Sequence, residues 1–157
     1  KSFNQRNLAK ELKVSSTAIA KSLKKLKETK LILINKDVST KIIAIELNRN
    51  NPRVIQLKRA DNLRLIYESG LFDYLENSFI GATIILFGSY SFGEDTIKSD
   101  IDIAIIGRKE KDLDLTKFEK ILCRKIIIQF YSSLKEIHKD LRENLLNGIL
   151  LKGGIEL

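Results

Sequence analysis

Two short apolar runs, residues 82–87 and 101–106, constrain this chain more than any other feature. Each has the length of a strand, is far too short to cross a bilayer, and is rich in the residues that suit a buried sheet. The second run nevertheless begins with acid: Asp100 precedes it and Asp102 lies within it. Side chains two apart on a strand point to one face, so these two carboxylates share a side. Adjacent carboxylates repel unless a cation or a proton intervenes. Hard oxygen ligands of this kind suit Mg²⁺ or Mn²⁺. The first run ends in Gly88-Ser89, where a strand can open into a helix. Gly88 lets the backbone approach a ligand closely, and Ser89 adds a hydroxyl beside exposed N–H groups, a combination that favours phosphate oxygens.

Taken together, Gly88-Ser89, Gly93 and Ser99-Asp100-Ile101-Asp102 resemble the motif of the nucleotidyltransferase superfamily related to DNA polymerase β, most closely its minimal stand-alone members. The resemblance runs from about residue 80 to the C-terminus. It implies an α/β (α+β) nucleotidyltransferase fold with a small mixed sheet. It also implies that Gly88 and Ser89 hold the triphosphate of an NTP, while Asp100 and Asp102 ligate catalytic Mg or Mn. An acceptor hydroxyl then attacks the α-phosphate, and pyrophosphate leaves. Two departures bear on activity. Phe92 stands where many relatives carry Arg. The third carboxylate of the family, on a later strand expected over 124–131, falls at Ile127 or Gln129, and neither is acidic. Glu119 precedes that strand on an expected helix and is poorly placed to substitute. General-base assistance alone is worth ~10²–10⁴ in rate, so the resemblance leaves open whether this chain is an enzyme. Small transferases of this type also occur as antitoxin partners of a toxin subunit.

Charge is distributed unevenly. Residues 1–60 hold 15 Lys and Arg against 4 Asp and Glu, a balance of +11, whereas residues 61–157 hold 13 against 16, a balance of −3. Such asymmetry favours a polyanionic partner for the first segment. A short helix is predicted over 4–12. A second follows from the N-cap Ser15 to about Thr29, with Ile19, Leu23 and Leu26 on one stripe. Thr17, Lys21, Lys24 and Lys25 fall on the opposite side. Two β-rich runs, 31–34 and 41–47, flank a polar loop over 35–40. Two helices followed by a hairpin resemble the winged helix-turn-helix family. That resemblance implies double-stranded DNA as partner, with the second helix in the major groove and Lys36 at the wing. Thr17 and Lys21 are then the candidates for base edges, and the other lysines for phosphates. A winged helix has one more helix ahead of these two, so residues upstream of Lys1 are expected. The rival reading is a module for protein contacts.

The expected organisation is a winged helix at 1–49, a helical connector at 50–79 and the transferase-like domain at 80–157. Asn50-Asn51-Pro52 is a helix-start signal, Val54, Leu57, Leu65 and Ile66 form its apolar face, and Ser69-Gly70 interrupts it. The connector could pack on either module or on a second copy of itself, which would make a homodimer. Downstream, Leu115, Phe118, Ile121 and Leu122 suggest one helical face, and Leu134, Ile137, Leu141 and Leu145 another. His138 falls off the second stripe and reads as an exposed residue, and residues 109–114 read as a solvated loop. Cys123, the single cysteine, reads as a small buried filler and can form neither an internal disulfide nor, with His138, a zinc site. With no leader or membrane-spanning run in view, a reducing cytoplasm is the expected compartment. Two functional readings result: a metal-dependent nucleotidyltransferase tethered to DNA, and a DNA-binding transcription regulator or antitoxin-like protein with an impaired transferase domain.

Overall fold

A computed structural model describes residues 3–36 and 43–155. The chain divides into two compact units at Ile55/Gln56. In the first unit, Phe3 exchanges backbone hydrogen bonds with Ile45. Helix α1 (Gln5–Glu11) starts at Asn4, whose side chain accepts from Asn7 N at 2.8 Å. Lys13, at φ 54, turns the chain into α2 (Ser16–Glu28). Ser15 caps α2 as predicted, accepting from Ala18 N at 3.1 Å. Such a cap is worth about 1 kcal/mol.

Strands β1 (Ile32–Lys36) and β2 (Ile43–Leu47) pair antiparallel, with Ile34 opposite Ile45. Ala9, Ile19, Ile32, Ile45 and Val54 are buried and form the small core of this unit. Leu26, expected on the buried stripe of α2, is exposed, whereas Ile19 is covered. Lys30 takes a left-handed conformation after α2, and its carbonyl accepts from Asn48 Nδ2 at 2.9 Å and Asn51 Nδ2 at 3.0 Å. These two amides fasten the helix end to the residues after the hairpin.

Helix α3 (Pro52–Glu68) opens where Asn50-Asn51-Pro52 predicts, and Asn51 Oδ1 accepts from Arg53 N at 3.0 Å. Gly70 is left-handed (φ 76) and separates α3 from α4 (Leu71–Ser78). Residues 50–79 therefore hold two helices. Ile66, Leu71, Leu75 and Phe79 belong to the main core of the second unit. Leu57, expected on the apolar face of α3, is instead half exposed.

The second unit is built on a four-stranded mixed sheet of order β5-β4-β3-β6. Strand β3 (Thr83–Phe87) runs antiparallel to β4 (Ile101–Ile106) and to β6 (Ile149–Lys152), while β4 and β5 (Ile126–Tyr131) are parallel. The alternation of a strand sorts the side chains onto two faces. Ile84, Leu86, Ile101, Ile103, Ile105 and Ile126 pack with α4 and with Phe118 of α6 (Thr116–Leu122). Ile85, Phe87, Ala104 and Ile106 pack with Leu134, Ile137 and Leu145. Leu134 lies in a 3-10 turn (Leu134–Glu136), and α7 begins only at Lys139 and ends at Leu146, so the predicted single helical stripe is a turn plus a helix. No helix among the described residues is long and apolar enough to cross a membrane.

Candidate nucleotide and metal site

The site residues gather at one end of the sheet, where β3 finishes and β4 starts. Phe87, the last residue of β3, is the register partner of Asp102. The chain then turns directly into the one-turn helix α5 (Gly88–Phe92), with Gly88 at φ 69 and Gly93 closing it at φ 76. Both glycines hold left-handed backbone that other residues adopt at a cost. At Gly88 a second reason is visible: a Cβ there would stand 2.6 Å from Asp102 Oδ2. The absent side chain makes room for the carboxylate. Inside the turn, the buried Ser91 donates its hydroxyl to Gly88 O at 2.8 Å, and Tyr90 is buried beneath. Burial, with Asp95 nearby, pushes the Tyr90 phenol up to about 12, so it remains neutral. Ser89 is half-buried, and its carbonyl accepts from Glu94 N and Asp95 N at 3.0 and 3.1 Å.

Asp100 is exposed just ahead of β4, and Asp102 is half-buried within it. Burial, and then the charge of Asp100, raise the Asp102 carboxyl above its ordinary 3.8. Among the described residues no hydrogen-bond donor or cation is paired with either carboxylate. Two neighbouring carboxylates without a compensating partner, one of them set in the space left by a glycine, fit a divalent cation. The predicted Gly88, Ser89, Asp100 and Asp102 therefore lie together.

Among the described residues the third carboxylate has no counterpart at this end of the sheet. In the parallel register of β4 and β5, Asp102 partners Ile127 and Ala104 partners Gln129. Position 127 therefore stands beside Asp102 on the same face and offers only hydrocarbon. The Gln129 amide oxygen accepts from the Tyr131 hydroxyl. Glu119 is committed elsewhere, its Oε1 accepting from Ile126 N at 3.0 Å. No group of three His, Cys, Asp or Glu side chains able to hold a metal occurs among the described residues.

In the first unit, Thr17, Lys21, Lys24 and Lys25 are all exposed on α2. Of the polar loop predicted over 35–40, Asn35 and Lys36 instead extend β1, with Lys36 opposite Ile43, and residues 37–40 lie outside the described residues. His138 is exposed as predicted. Cys123 requires a correction: it is exposed, not a buried filler. Helix α6 ends at Leu122, and Cys123 turns left-handed at φ 50, which swings its side chain off the apolar face. Ile121, expected on that face, is likewise exposed. The residue that sequence reasoning missed is Asp95, fully buried in the loop between α5 and β4. Its only sequence signal, an acid in a polar stretch, is the usual mark of an exposed position.

Comparison with known proteins gives an independent view of this half of the chain. No curated protein matches it, and no solved structure matches it. The family model described as a nucleotidyltransferase domain matches residues 68–151, a span that takes in α4, strands β3, β4 and β5, all but the last residue of β6, Gly88-Ser89 and the two aspartates. That is more than half of the sequence, and the chain belongs to the nucleotidyltransferase domain family.

Proposed function

We propose that this protein binds a metal–nucleoside triphosphate complex at Gly88, Ser89, Asp100 and Asp102, and binds double-stranded DNA through its first unit. The observation that carries the reading is the position of Asp102, which stands between the cleared space at Gly88 and the hydrocarbon of Ile127. A divalent ion such as Mg²⁺, when bound, supplies charge neutralisation and orientation of the phosphates. The chain's own contribution is separable. Gly88 opens the approach, the Ser89 hydroxyl and neighbouring N–H groups receive phosphate oxygens, and Asp100 and Asp102 present anionic oxygens to the ion. With Ile127 in place of an acid, nothing on β5 takes the proton of an attacking hydroxyl. Binding is therefore retained, while nucleotidyl transfer to a hydroxyl acceptor is slow. This favours a nucleotide-responsive DNA-binding regulator, including the antitoxin-like case, over an efficient transferase. The intact aspartate pair supports the second reading, a working transferase for an acceptor hydroxyl on protein or nucleic acid.

For the first unit, support comes from the arrangement of α1, α2 and the hairpin with Phe3 added at β2, and from the exposed Thr17, Lys21, Lys24 and Lys25. This is the order of elements in a winged helix, and α2 is its candidate reading helix.

One experiment separates the readings: incubation with α-³²P-labelled NTPs and Mg²⁺ or Mn²⁺, beside the Asp100→Ala/Asp102→Ala double variant. The regulator reading expects nucleotide binding that is lost in the double variant, with no appreciable transfer of label. Label appearing on protein or nucleic acid, and lost in the variant, establishes the transferase. Absence of both binding and transfer in the unaltered protein refutes the site.

A further inference from the structure

We propose that Asp95 is the positioning residue of this site: it sets the spacing between the phosphate-binding turn and the metal-binding aspartates. The inference rests on the nucleotide-site reading above and adds a residue outside its motif. Asp95 has no solvent exposure, and its two carboxylate oxygens are divided between different parts of the fold. Oδ1 accepts from Asn62 Nδ2 at 2.8 Å and from the Lys58 ammonium, both on α3. Oδ2 accepts from Arg124 Nη2 at 2.7 Å, just ahead of β5.

Each connection leads back to the site. Asn62 Nδ2 also reaches Tyr90 O at 2.8 Å, so α5 and Asp95 are held by one amide. The Asp95 N–H itself donates to Ser89 O at 3.1 Å. On the other side, the Arg124 guanidinium held by Asp95 donates through Nη1 to Thr96 O and, at 3.2 Å, to Ser99 O. Ser99 is the residue before Asp100. The next peptide along is fixed too, with Ile101 N donating to Lys125 O at 2.8 Å. Asp95 thus sits at the junction of two chains of hydrogen bonds, one ending on Ser89 and the other beside Asp100.

A buried ion cluster is poor support for a purely stabilising role, because desolvation offsets much of the attraction. Its directed hydrogen bonds do fix geometry, and ligand binding is sensitive to small displacements of the groups that receive it. The loop over residues 93–100 has to hold Asp100 and Ser89 around one metal–triphosphate complex, and Asp95 is the one fully buried polar side chain within it.

The test uses the full chain with Asp95→Asn and Arg124→Lys. The first keeps shape but leaves two cations, Lys58 and Arg124, without their carboxylate. The second keeps the charge for Asp95 but cannot span both carbonyls. A control, Arg108→Ala, removes hydrogen bonds to Ile80 O and Gly107 O at the opposite end of β3 and β4. Two quantities are read: the affinity for Mg–NTP, and amide exchange over residues 88–101 without nucleotide. The inference expects both site variants to weaken affinity about tenfold, the scale of losing one charged hydrogen bond, and to speed exchange in the loop. The control should lower Tm without either effect. Unchanged loop exchange in Asp95→Asn, or an equal loss of affinity in Arg108→Ala, overturns the inference. Absence of NTP binding in the unaltered protein overturns the nucleotide reading instead, and the exchange result still decides whether Asp95 sets the loop.

Discussion

Replacing Asp102 by Asn should make the metal-free protein more stable while abolishing its response to metal. Asp102 is half-buried, lies close enough to Asp100 for that charge to raise its carboxyl, and is paired with no donor. A group whose folded-state value lies above the unfolded one binds its proton more tightly in the folded state. Its stabilising contribution is full below about 3.8 and is lost as pH rises through the raised value, so at neutral pH the ionised Asp102 weighs against folding. Partial solvent access keeps the magnitude small, and a like-charge pair of this kind costs about 0.5–1 kcal/mol. For a unit of this size that corresponds to roughly 2–5 °C in Tm. With chelator at pH 8, Asp102→Asn should therefore melt several degrees above the unaltered chain, and the gap should close as pH falls toward 4. Saturating Mg²⁺ should reverse the order. A ligand at one hundred times its Kd adds about 2.7 kcal/mol to the form that binds it, and the Asn variant binds weakly or not at all. Thermal melts with EDTA and with Mg²⁺ decide the matter. A variant that melts at or below the unaltered protein in chelator would show that the pair is not under electrostatic strain, and the argument for a cation would fall with it.

Three further outcomes follow from the same geometry. Ile127→Asp places a carboxylate beside Asp102 in the β4–β5 register, and should raise transfer of α-³²P label by ~10²-fold or more, with lower metal-free stability. Transfer that stays flat would mean that position 127 is not the one the chemistry lacks. Gly88→Ala combines about 1–2 kcal/mol of left-handed backbone cost with a methyl 2.6 Å from Asp102 Oδ2, so titration calorimetry should show at least tenfold weaker Mg–NTP binding. For the first unit, Lys24→Ala/Lys25→Ala should reduce the slope of log affinity for duplex DNA against log salt by up to about 1.8, at ~0.9 per phosphate contact. An unchanged slope would assign that face to another partner.

The grouping of Gly88, Ser89, Asp100 and Asp102 was legible because the proposed chemistry would restrict residue type at fixed spacing. Gly88 takes the positive φ expected of it, and Asp100 and Asp102 fall where two apolar strands bracket the turn. Local signals also carried α2, since Ser15 satisfies its own helix start without distant help. Features set by tertiary context were opaque. Leu57 and Ile121 lie on helices with the right periodicity, but only the packing of other elements decides that both are exposed. The i, i+3 spacing of Leu134 and Ile137 suits a continuous helix as well as it suits the turn before α7. Asp95 was invisible for a plainer reason: its partners Lys58, Asn62 and Arg124 are 37, 33 and 29 residues away, and no local pattern marks such an alliance.

The exposure of Cys123 has a practical consequence. The sequence contains one Cys and no Met, so that thiol is the only sulfur in the chain. A maleimide dye or nitroxide added to the unmodified protein would attach at one address, adjacent to the arginine that grips the loop over residues 93–100. The fold thus comes with a spectroscopic reporter already in place, and a response to added nucleotide beside the proposed site can be tested in solution without first engineering a cysteine.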